Sequence, residues 1–265
     1  YCIIGCVEPQ AGHRTEGWHD AAFFNIAKVL EITLNNGRCN GKQLGPKTGE
    51  LEELDTMDKL LAAYQQQMEY FVRHLAKADN AVDYAHMERA PLPFMSAMVD
   101  DCIKRGKSCQ EGGAIYNFTG PQAFGVADAG DSLYAIQKNI FEDKRFTLAE
   151  LREALEANFG YSDSAAPICT PSIPESTLDE AQIYEAVKKI LSSTGSIDIA
   201  TLESHLKQGT GTGTSCGCKS QADPSKYATI RNILKNTDSF GNDIEEVDQF
   251  AYRCGKIYCN EVDKY

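Results

Sequence analysis

The sequence opens with Tyr1-Cys2-Ile3-Ile4-Gly5-Cys6-Val7-Glu8-Pro9, a short apolar run that a glycine stops and that a thiol and a carboxylate follow. The β-branched and aromatic residues before Gly5 predict a buried strand that leads into a loop. This loop carries Cys6 and Glu8. A reactive sulfur beside an acid that can exchange protons favours a catalytic loop over a packing element.

A second polar segment, Thr15-Glu16-Gly17-Trp18-His19-Asp20, follows at once. From Trp18 to Asn35 apolar residues recur at helical spacing, and Asn36-Gly37 ends the pattern, so we expect a helix there. Asp20 would then lie near a helix N-terminus, where the helix dipole favours a carboxylate.

The rest of the chain alternates helical patterns with a few apolar runs. Apolar residues at helical spacing predict helices over residues 54–88, 94–104, 123–141, 147–158, 227–234 and 244–265. Residues 111–122 are predicted to form a strand and a loop. Thr147 and Glu150 have the spacing of a capping box. The balance is helix-rich with a few buried strands between helices, which indicates an α/β layer or an α/β barrel shared with sequence outside the chain.

Residues 161–223 differ in character from their flanks. They are rich in Ser, Thr and Pro and contain the low-complexity run Gly209-Thr210-Gly211-Thr212-Gly213-Thr214. We interpret them as an inserted surface module on a flexible Gly/Thr tether. The expected organisation is a catalytic region over 1–160, the insertion over 161–223, and a return to the barrel helices over 224–265.

The composition excludes several classes of function. With 265 residues and 42% apolar residues the chain can build a core, and its net charge of −12 without a basic arm argues against a nucleic-acid binder. No apolar run reaches the roughly 18 residues of a membrane span, and no secretion signal is visible. We therefore expect a cytoplasmic protein whose ten cysteines are thiols, with no metal site, since a paired CxxC framework is missing.

Three interpretations of Cys6 compete on the residues alone. It could be a buried thiol in the core. It could be a thiolate nucleophile with His13 or His19 as its base, as in cysteine hydrolases. It could also be a neutral thiol used for homolytic S–H chemistry. The negative charge of Glu8 so close to the sulfur opposes a thiolate and favours a neutral thiol.

Several blocks together resemble the glycyl radical enzymes, the superfamily that includes pyruvate formate-lyase and the diol dehydratases. The similarity covers about residues 1–160 and 224–265, in order and in spacing. Its blocks are Gly5-Cys6-Val7-Glu8-Pro9, Trp18-His19-Asp20, Asn35-Asn36-Gly37-Arg38, Gln43-Leu44-Gly45-Pro46, Arg89-Ala90-Pro91-Leu92-Pro93-Phe94, Gly112-Gly113 and Gly120-Pro121-Gln122.

The resemblance implies the second half of a ten-stranded α/β barrel, with Cys6 on a loop inside it. It further implies that a glycyl radical, on a glycine absent from this chain, passes its radical character to Cys6, and that no other cofactor is bound directly. The implied partners are a radical-SAM activating enzyme and a second copy of the full-length protein. The chain is then expected to be a catalytic fragment that is inactive alone, from a cytoplasmic enzyme that a bacterial microcompartment could enclose.

The resemblance also assigns roles to single residues. Cys6 and Glu8 are implied to be catalytic, and Asp20 and His19 are the substrate-binding candidates. Trp18-His19-Asp20 looks like the glycerol and propane-1,2-diol dehydratases, which implies C–O cleavage of a small diol to an aldehyde. The alternatives are a C–S lyase acting on isethionate or sulfopropanediol, a choline-type C–N lyase and, in another class, a non-catalytic remnant or interaction module, which residues 161–223 would favour.

Overall fold

The computed structural model describes residues 2–4, 8–160 and 224–265 of the chain. These residues belong to one unit, Tyr1–Gly160 together with Pro224–Tyr265. The module predicted at 161–223 lies outside the described residues, so the three-part organisation of the chain stays a prediction.

The described part of the chain alternates strands and helices. The strands are β1 (Cys2–Ile4), β2 (Glu8–Gln10), β3 (Thr15–Asn25), β4 (Arg38–Cys39), β5 (Lys42–Gln43) and β6 (Tyr116–Phe124). The helices are α1 (Ile26–Leu34), α2 (Met57–Arg89), α3 (Pro93–Met98), α4 (Cys102–Arg105), α5 (Val126–Ile136), α6 (Leu148–Glu156), α7 (Pro224–Lys235) and α8 (Glu245–Val262). A π-helical stretch, Gln137–Glu142, continues α5.

The strands of the described residues pair two by two. β1 and β2 form an antiparallel hairpin, β4 and β5 form a second one, and β3 lies parallel to β6. The ten-stranded barrel is therefore not seen in these residues and stays a prediction. Helix-rich α/β architecture, with the parallel strands β3 and β6 each followed by a helix, is what the structure has.

The helix predicted from Trp18 is wrong over its first two turns. Residues up to Asn25 form the strand β3, and α1 begins only at Ile26. Tryptophan and phenylalanine favour strands, and the backbone of β3 is paired with β6, which outweighs a weak helical spacing. Asn25 starts the helix, since its side-chain Oδ1 accepts a hydrogen bond from Lys28 N at 2.9 Å.

Two smaller expectations change as well. Ile3 is 70% exposed, so the prediction of a buried first strand is wrong at this residue, because a two-stranded hairpin leaves one face without a packing partner. The helix predicted over 94–104 is broken into α3 and α4, and Asp101 between them has a left-handed backbone with φ of 73°. The long helix α2 and the Thr147/Glu150 capping box of α6 are confirmed.

Helices cover one face of the parallel pair β3 and β6. α1, α2, α5 and α8 pack together in this layer, around side chains that include Tyr64, Leu133 and Val247, all fully buried. Phe24 of β3 stacks against Tyr258 of α8 with ring centroids 5.2 Å apart. Among the described helices, none combines the length and the apolar character needed to cross a lipid bilayer.

The other face of the parallel pair carries exposed aromatic residues. Phe23 and Phe124 are 66% and 48% exposed, and their rings meet edge to face at 5.1 Å. Gln122 lies opposite Phe23 in the register, so its side chain shares this face. We call the surface formed by Phe23, Gln122 and Phe124 the open face of the sheet.

Candidate functional site

The strands β1 and β2 flank the predicted thiol in the sequence. Ile4 pairs with Glu8 across the hairpin, and residues 5–7 between them, including Cys6, lie outside the described residues. Covalent geometry still limits the distance, since two Cα–Cα steps place the Cα atoms of Cys6 and Glu8 no more than about 7.6 Å apart. The sequence alone therefore keeps the backbone of Glu8 within this distance of Cys6.

The Glu8 carboxylate contacts the side-chain amide of Gln122 on strand β6. Gln122 Nε2 donates a hydrogen bond to Glu8 Oε1 at 2.9 Å, and the Glu8 side chain is half-buried. A hydrogen bond to an ionised carboxylate is stronger than one between neutral groups. The contact places the Glu8 carboxylate at the open face. Its partner Gln122 lies 114 residues further along the chain, on β6.

The two predicted substrate residues fall on a bulge in β3. Trp18 pairs with Thr119 and Ala22 pairs with Pro121, so three residues of β3 stand opposite one residue of β6. His19 and Asp20 are two of these three. The structure describes their backbone, whereas their side chains lie outside what it describes. Bulges re-aim side chains and are common beside active sites.

Asp20 lies in strand β3 and not near the start of a helix. A charge at a helix N-terminus was the expectation from the sequence, and it is wrong because the helix begins six residues later, at Ile26. The role of Asp20 as a substrate ligand stays a prediction.

The turn between β2 and β3 is tied to two other elements. His13 there is exposed and has a positive φ of 64°, and its carbonyl accepts a hydrogen bond from Asp100 N at 2.6 Å. The carbonyl of Arg14 accepts one from Tyr116 N, at the start of β6, at 2.9 Å. These bonds fix the entry of β3 beside β6.

Gly17 permits the close approach of the two parallel strands. A Cβ atom at this position would lie 2.2 Å from the carbonyl oxygen of Phe118. Only glycine therefore fits at this point of β3, just before the bulge.

A cavity of about 350 Å³ lies between α2, β3, β6 and the end of α8. Its acidic lining residues are Glu16, Asp79 and Asp83, and Glu8 does not line it. Asp79 is only 7% exposed, and burial raises its pKa. Phe118 and Thr119 belong to β6 and line this cavity.

Sequence reasoning missed Gln122 as the partner of Glu8. Gly120-Pro121-Gln122 stood out as a block that resembles a family, but one sequence offers no signal that joins two positions 114 residues apart. The sequence prediction of a metal-free protein also stays open, although the described residues contain no group of three His, Cys, Asp or Glu placed to hold a metal ion.

Comparison with known proteins gives a match over the whole chain. The model of a family described as PFL-like, pyruvate formate lyase-like, matches residues 1–265. A (2S)-3-sulfopropanediol dehydratase of Klebsiella oxytoca is 42% identical over 161 residues, which is 60% of this chain and 20% of that protein.

Two solved structures are similar over 99% of the chain. The glycerol-bound form of the B12-independent glycerol dehydratase from Clostridium butyricum has a TM-score of 0.72 and 41% identity, and the chain covers 25% of it. A structure described for 1,2-propanediol dehydration in Roseburia inulinivorans has a TM-score of 0.74 and 39% identity, with 26% covered. The chain thus spans a fifth to a quarter of the length of these relatives.

Proposed function

The chain belongs to the pyruvate formate lyase-like family, and on this premise we propose that the full-length protein is a glycyl radical lyase that dehydrates a small diol to an aldehyde. Glycerol and propane-1,2-diol are the substrates we propose. The observation that carries the proposal is the identity of 41% and 39%, over nearly the whole chain, to structures of a glycerol dehydratase and of a 1,2-propanediol-dehydrating protein.

The proposed fold of the full-length protein is the ten-stranded α/β barrel, of which β3 and β6 are two neighbouring parallel strands. Parallel sheets are normally covered on both faces, yet the open face exposes Phe23 and Phe124. In the proposal this face looks into the barrel, where Glu8 meets Gln122.

The glycyl radical, on a glycine of another segment, supplies the unpaired electron for the reaction. The exposed side chain of Ile3, close in sequence to Cys6, supports this proposal because it leaves an apolar surface on which such a segment could pack. A radical-SAM activating enzyme is the proposed partner that forms the radical, and a homodimer is the proposed assembly.

Cys6 begins the chemistry as a thiyl radical in this proposal. It takes a hydrogen atom from the hydroxyl-bearing C1 of the diol, so that an S–H bond forms and a C–H bond breaks. The unpaired electron then sits on C1. A neutral thiol suits this step, and the carboxylate of Glu8 nearby disfavours the thiolate.

Glu8 moves the proton in the second step. Its carboxylate accepts the proton of the C1 hydroxyl, which leaves a ketyl-type radical anion. This species expels the C2 hydroxyl as hydroxide, which recovers the proton from Glu8 and leaves as water. The remaining radical on C2 takes the hydrogen atom back from Cys6, which gives the aldehyde and restores the thiyl radical.

Asp20 and His19 are the proposed substrate ligands. Asp20 would accept a hydrogen bond from a substrate hydroxyl and so decide which C–H bond faces the sulfur. The support for both residues is their place on the bulge of β3, on the strand beside the one that carries Gln122.

A second candidate substrate is a sulfonated diol. The relative that is 42% identical carries the name (2S)-3-sulfopropanediol dehydratase, so we propose this diol as the runner-up, with the same loss of water. C–S cleavage of isethionate, C–N cleavage of choline and a non-catalytic role are the further outcomes that the experiment separates.

The test is anaerobic activation of the full-length protein by its activating enzyme, followed by incubation with glycerol, propane-1,2-diol, 3-sulfopropanediol, isethionate and choline. We expect an organic radical in the electron paramagnetic resonance spectrum and an aldehyde from one of the diols, with no product from the Cys6→Ala variant. Sulfite, trimethylamine or no product at all would contradict the proposal.

A further inference from the structure

We propose that Gln122 is a positioning residue that aims the Glu8 carboxylate for proton transfer. The inference rests on the proposed function and adds a residue to it. It starts from the hydrogen bond of 2.9 Å from Gln122 Nε2 to Glu8 Oε1, which connects the hairpin beside Cys6 to strand β6.

The backbone that carries Gln122 is held firmly on both sides. Its neighbour Pro121 accepts a hydrogen bond through its carbonyl from Tyr258 Oη of α8 at 3.0 Å. Gln122 itself pairs with Phe23 in the parallel ladder. A side chain that projects from such a rigid strand can hold a reacting group within the narrow range of positions that catalysis needs.

A neutral amide suits this position chemically. A lysine or arginine in its place would stabilise the carboxylate strongly and make it a poorer base, whereas an amide orients it at a smaller electrostatic cost. The amide can also hydrogen-bond to Glu8 in both of its states, the ionised carboxylate and the protonated acid. Nε2 donates to the carboxylate, and after a rotation Oε1 can accept from the protonated acid.

The assignment of the amide follows from the same chemistry. An ionised carboxylate only accepts hydrogen bonds, so the NH₂ end of Gln122 has to face Glu8 in the resting state. The amide occupies one of about four acceptor positions of the carboxylate.

The experiment compares Gln122→Met with the unaltered full-length enzyme after anaerobic activation. Methionine keeps the length of the side chain and lacks the donor. We expect kcat to fall about 10- to 100-fold, as for other small misplacements of a reacting group, with KM within about twofold. The acid limb of the pH–rate profile should move to higher pH, because the ionised acid loses a donor.

Two further variants complete the design. Gln249→Met is the matched control, because Gln249 Nε2 donates to Glu245 Oε1 at 2.7 Å on the exposed surface of α8, and we expect no change. Gln122→Glu keeps the shape of the side chain and places a second acid beside Glu8, which should move the acid limb further to higher pH. The radical signal should be as large in all variants as in the unaltered enzyme.

The outcomes separate the inference from the proposed function. If Gln122→Met leaves kcat and the pH profile unchanged in an enzyme that forms aldehyde, the inference is wrong and the function stands. If both Gln122 variants lose the radical signal or the fold, Gln122 is a structural residue, which also overturns the inference. If the unaltered enzyme makes no aldehyde, the proposed function fails and the inference fails with it.

Discussion

Glu8 accepts a hydrogen bond from the side-chain amide of Gln122 on β6, and this contact restrains its carboxylate. The donor, Gln122 Nε2, is neutral and lies at 2.9 Å. A neutral donor restrains the rotamer of Glu8 but leaves it able to take a proton. The contact thus supports the role of a base that we propose for Glu8.

Replacing Glu8 by glutamine tests this role. Glu8→Gln keeps the size of the side chain and removes its ability to accept a proton, so turnover should fall about 10²- to 10⁴-fold. Glu245→Gln, on the exposed surface of α8, is the matched control and should leave turnover unchanged. Aldehyde formation by the activated enzyme is the measurement, and an active Glu8→Gln variant would remove Glu8 from the mechanism.

Two cysteines of α8 differ in burial, and their reactivity tests how this helix packs. Cys254 is fully buried and its pKa is raised to about 11 by burial, whereas Cys259 is exposed. Because the thiolate is the reacting form, iodoacetamide at pH 8 should label Cys259 and spare Cys254 until the protein unfolds. Peptide mass spectrometry gives the labelled fractions. Equal labelling of the two thiols in the folded protein would contradict the packing of α8.

The same pKa predicts a pH dependence of stability. The Cys254 thiol binds its proton more tightly in the folded state than in the unfolded chain, where the pKa is about 8.5. The contribution of this proton to the free energy of unfolding is complete below about pH 8.5 and is lost as the pH rises towards 11. Cys254→Ala should therefore flatten the alkaline fall of the unfolding midpoint, and Cys259→Ala should not.

The elements around the site owe their positions to close packing between helices α5 and α8. A Cβ atom at Gly130 of α5 would lie 2.7 Å from the backbone N and Cα of Ala251. At Gly255 of α8 the nearest atom to such a Cβ is Val126 Cγ1 at 3.8 Å, an ordinary contact. The two helical glycines thus differ in what a methyl group would meet.

These glycines make a matched pair of variants. Gly130→Ala should destabilise the fold by about 1–3 kcal/mol, because the backbone of α8 has to move. Gly255→Ala should stabilise it by up to about 1 kcal/mol, because alanine favours a helix. Thermal unfolding of the two variants measures whether each substitution lowers or raises the stability. A stabilising Gly130→Ala would mean that α5 and α8 do not approach as described.

The sequence predicted the helices better than the strands. α2 and α6 have long periodic patterns or complete caps, and such local signals were enough to predict them. β3 from Trp18 onward was predicted as a helix, because its pairing with β6 joins residues about 100 positions apart and leaves no local signal in the sequence. The local signal that could have corrected the start of α1 is Asn25, a preferred N-cap residue directly before Ile26.

The candidate site could be predicted only in part, for a similar reason. Cys6 and Glu8 are two residues apart, so their association is visible in the sequence alone. The contact of Glu8 with Gln122 depends on bringing a hairpin onto a distant strand, and the bulge that holds His19 and Asp20 exists only relative to β6. Tertiary pairing, rather than residue type, creates these features.

At the scale of the whole molecule, the chain matches its family along its full length yet spans only 20–26% of the relatives compared with it. The open face, with Phe23 and Phe124 exposed, is the surface that we propose to line the interior of the barrel in the full-length protein. For the full-length enzyme we thus propose that Cys6 moves a hydrogen atom during dehydration.

Isotope transfer tests this role of Cys6. The activated full-length enzyme is given propane-1,2-diol with two deuterium atoms on C1, and the aldehyde is examined by nuclear magnetic resonance. If Cys6 takes a deuterium atom from C1 and returns it to C2, the product carries deuterium on C2, and the Cys6→Ala variant forms no product. An aldehyde without detectable deuterium on C2, or an active Cys6→Ala variant, would contradict the account.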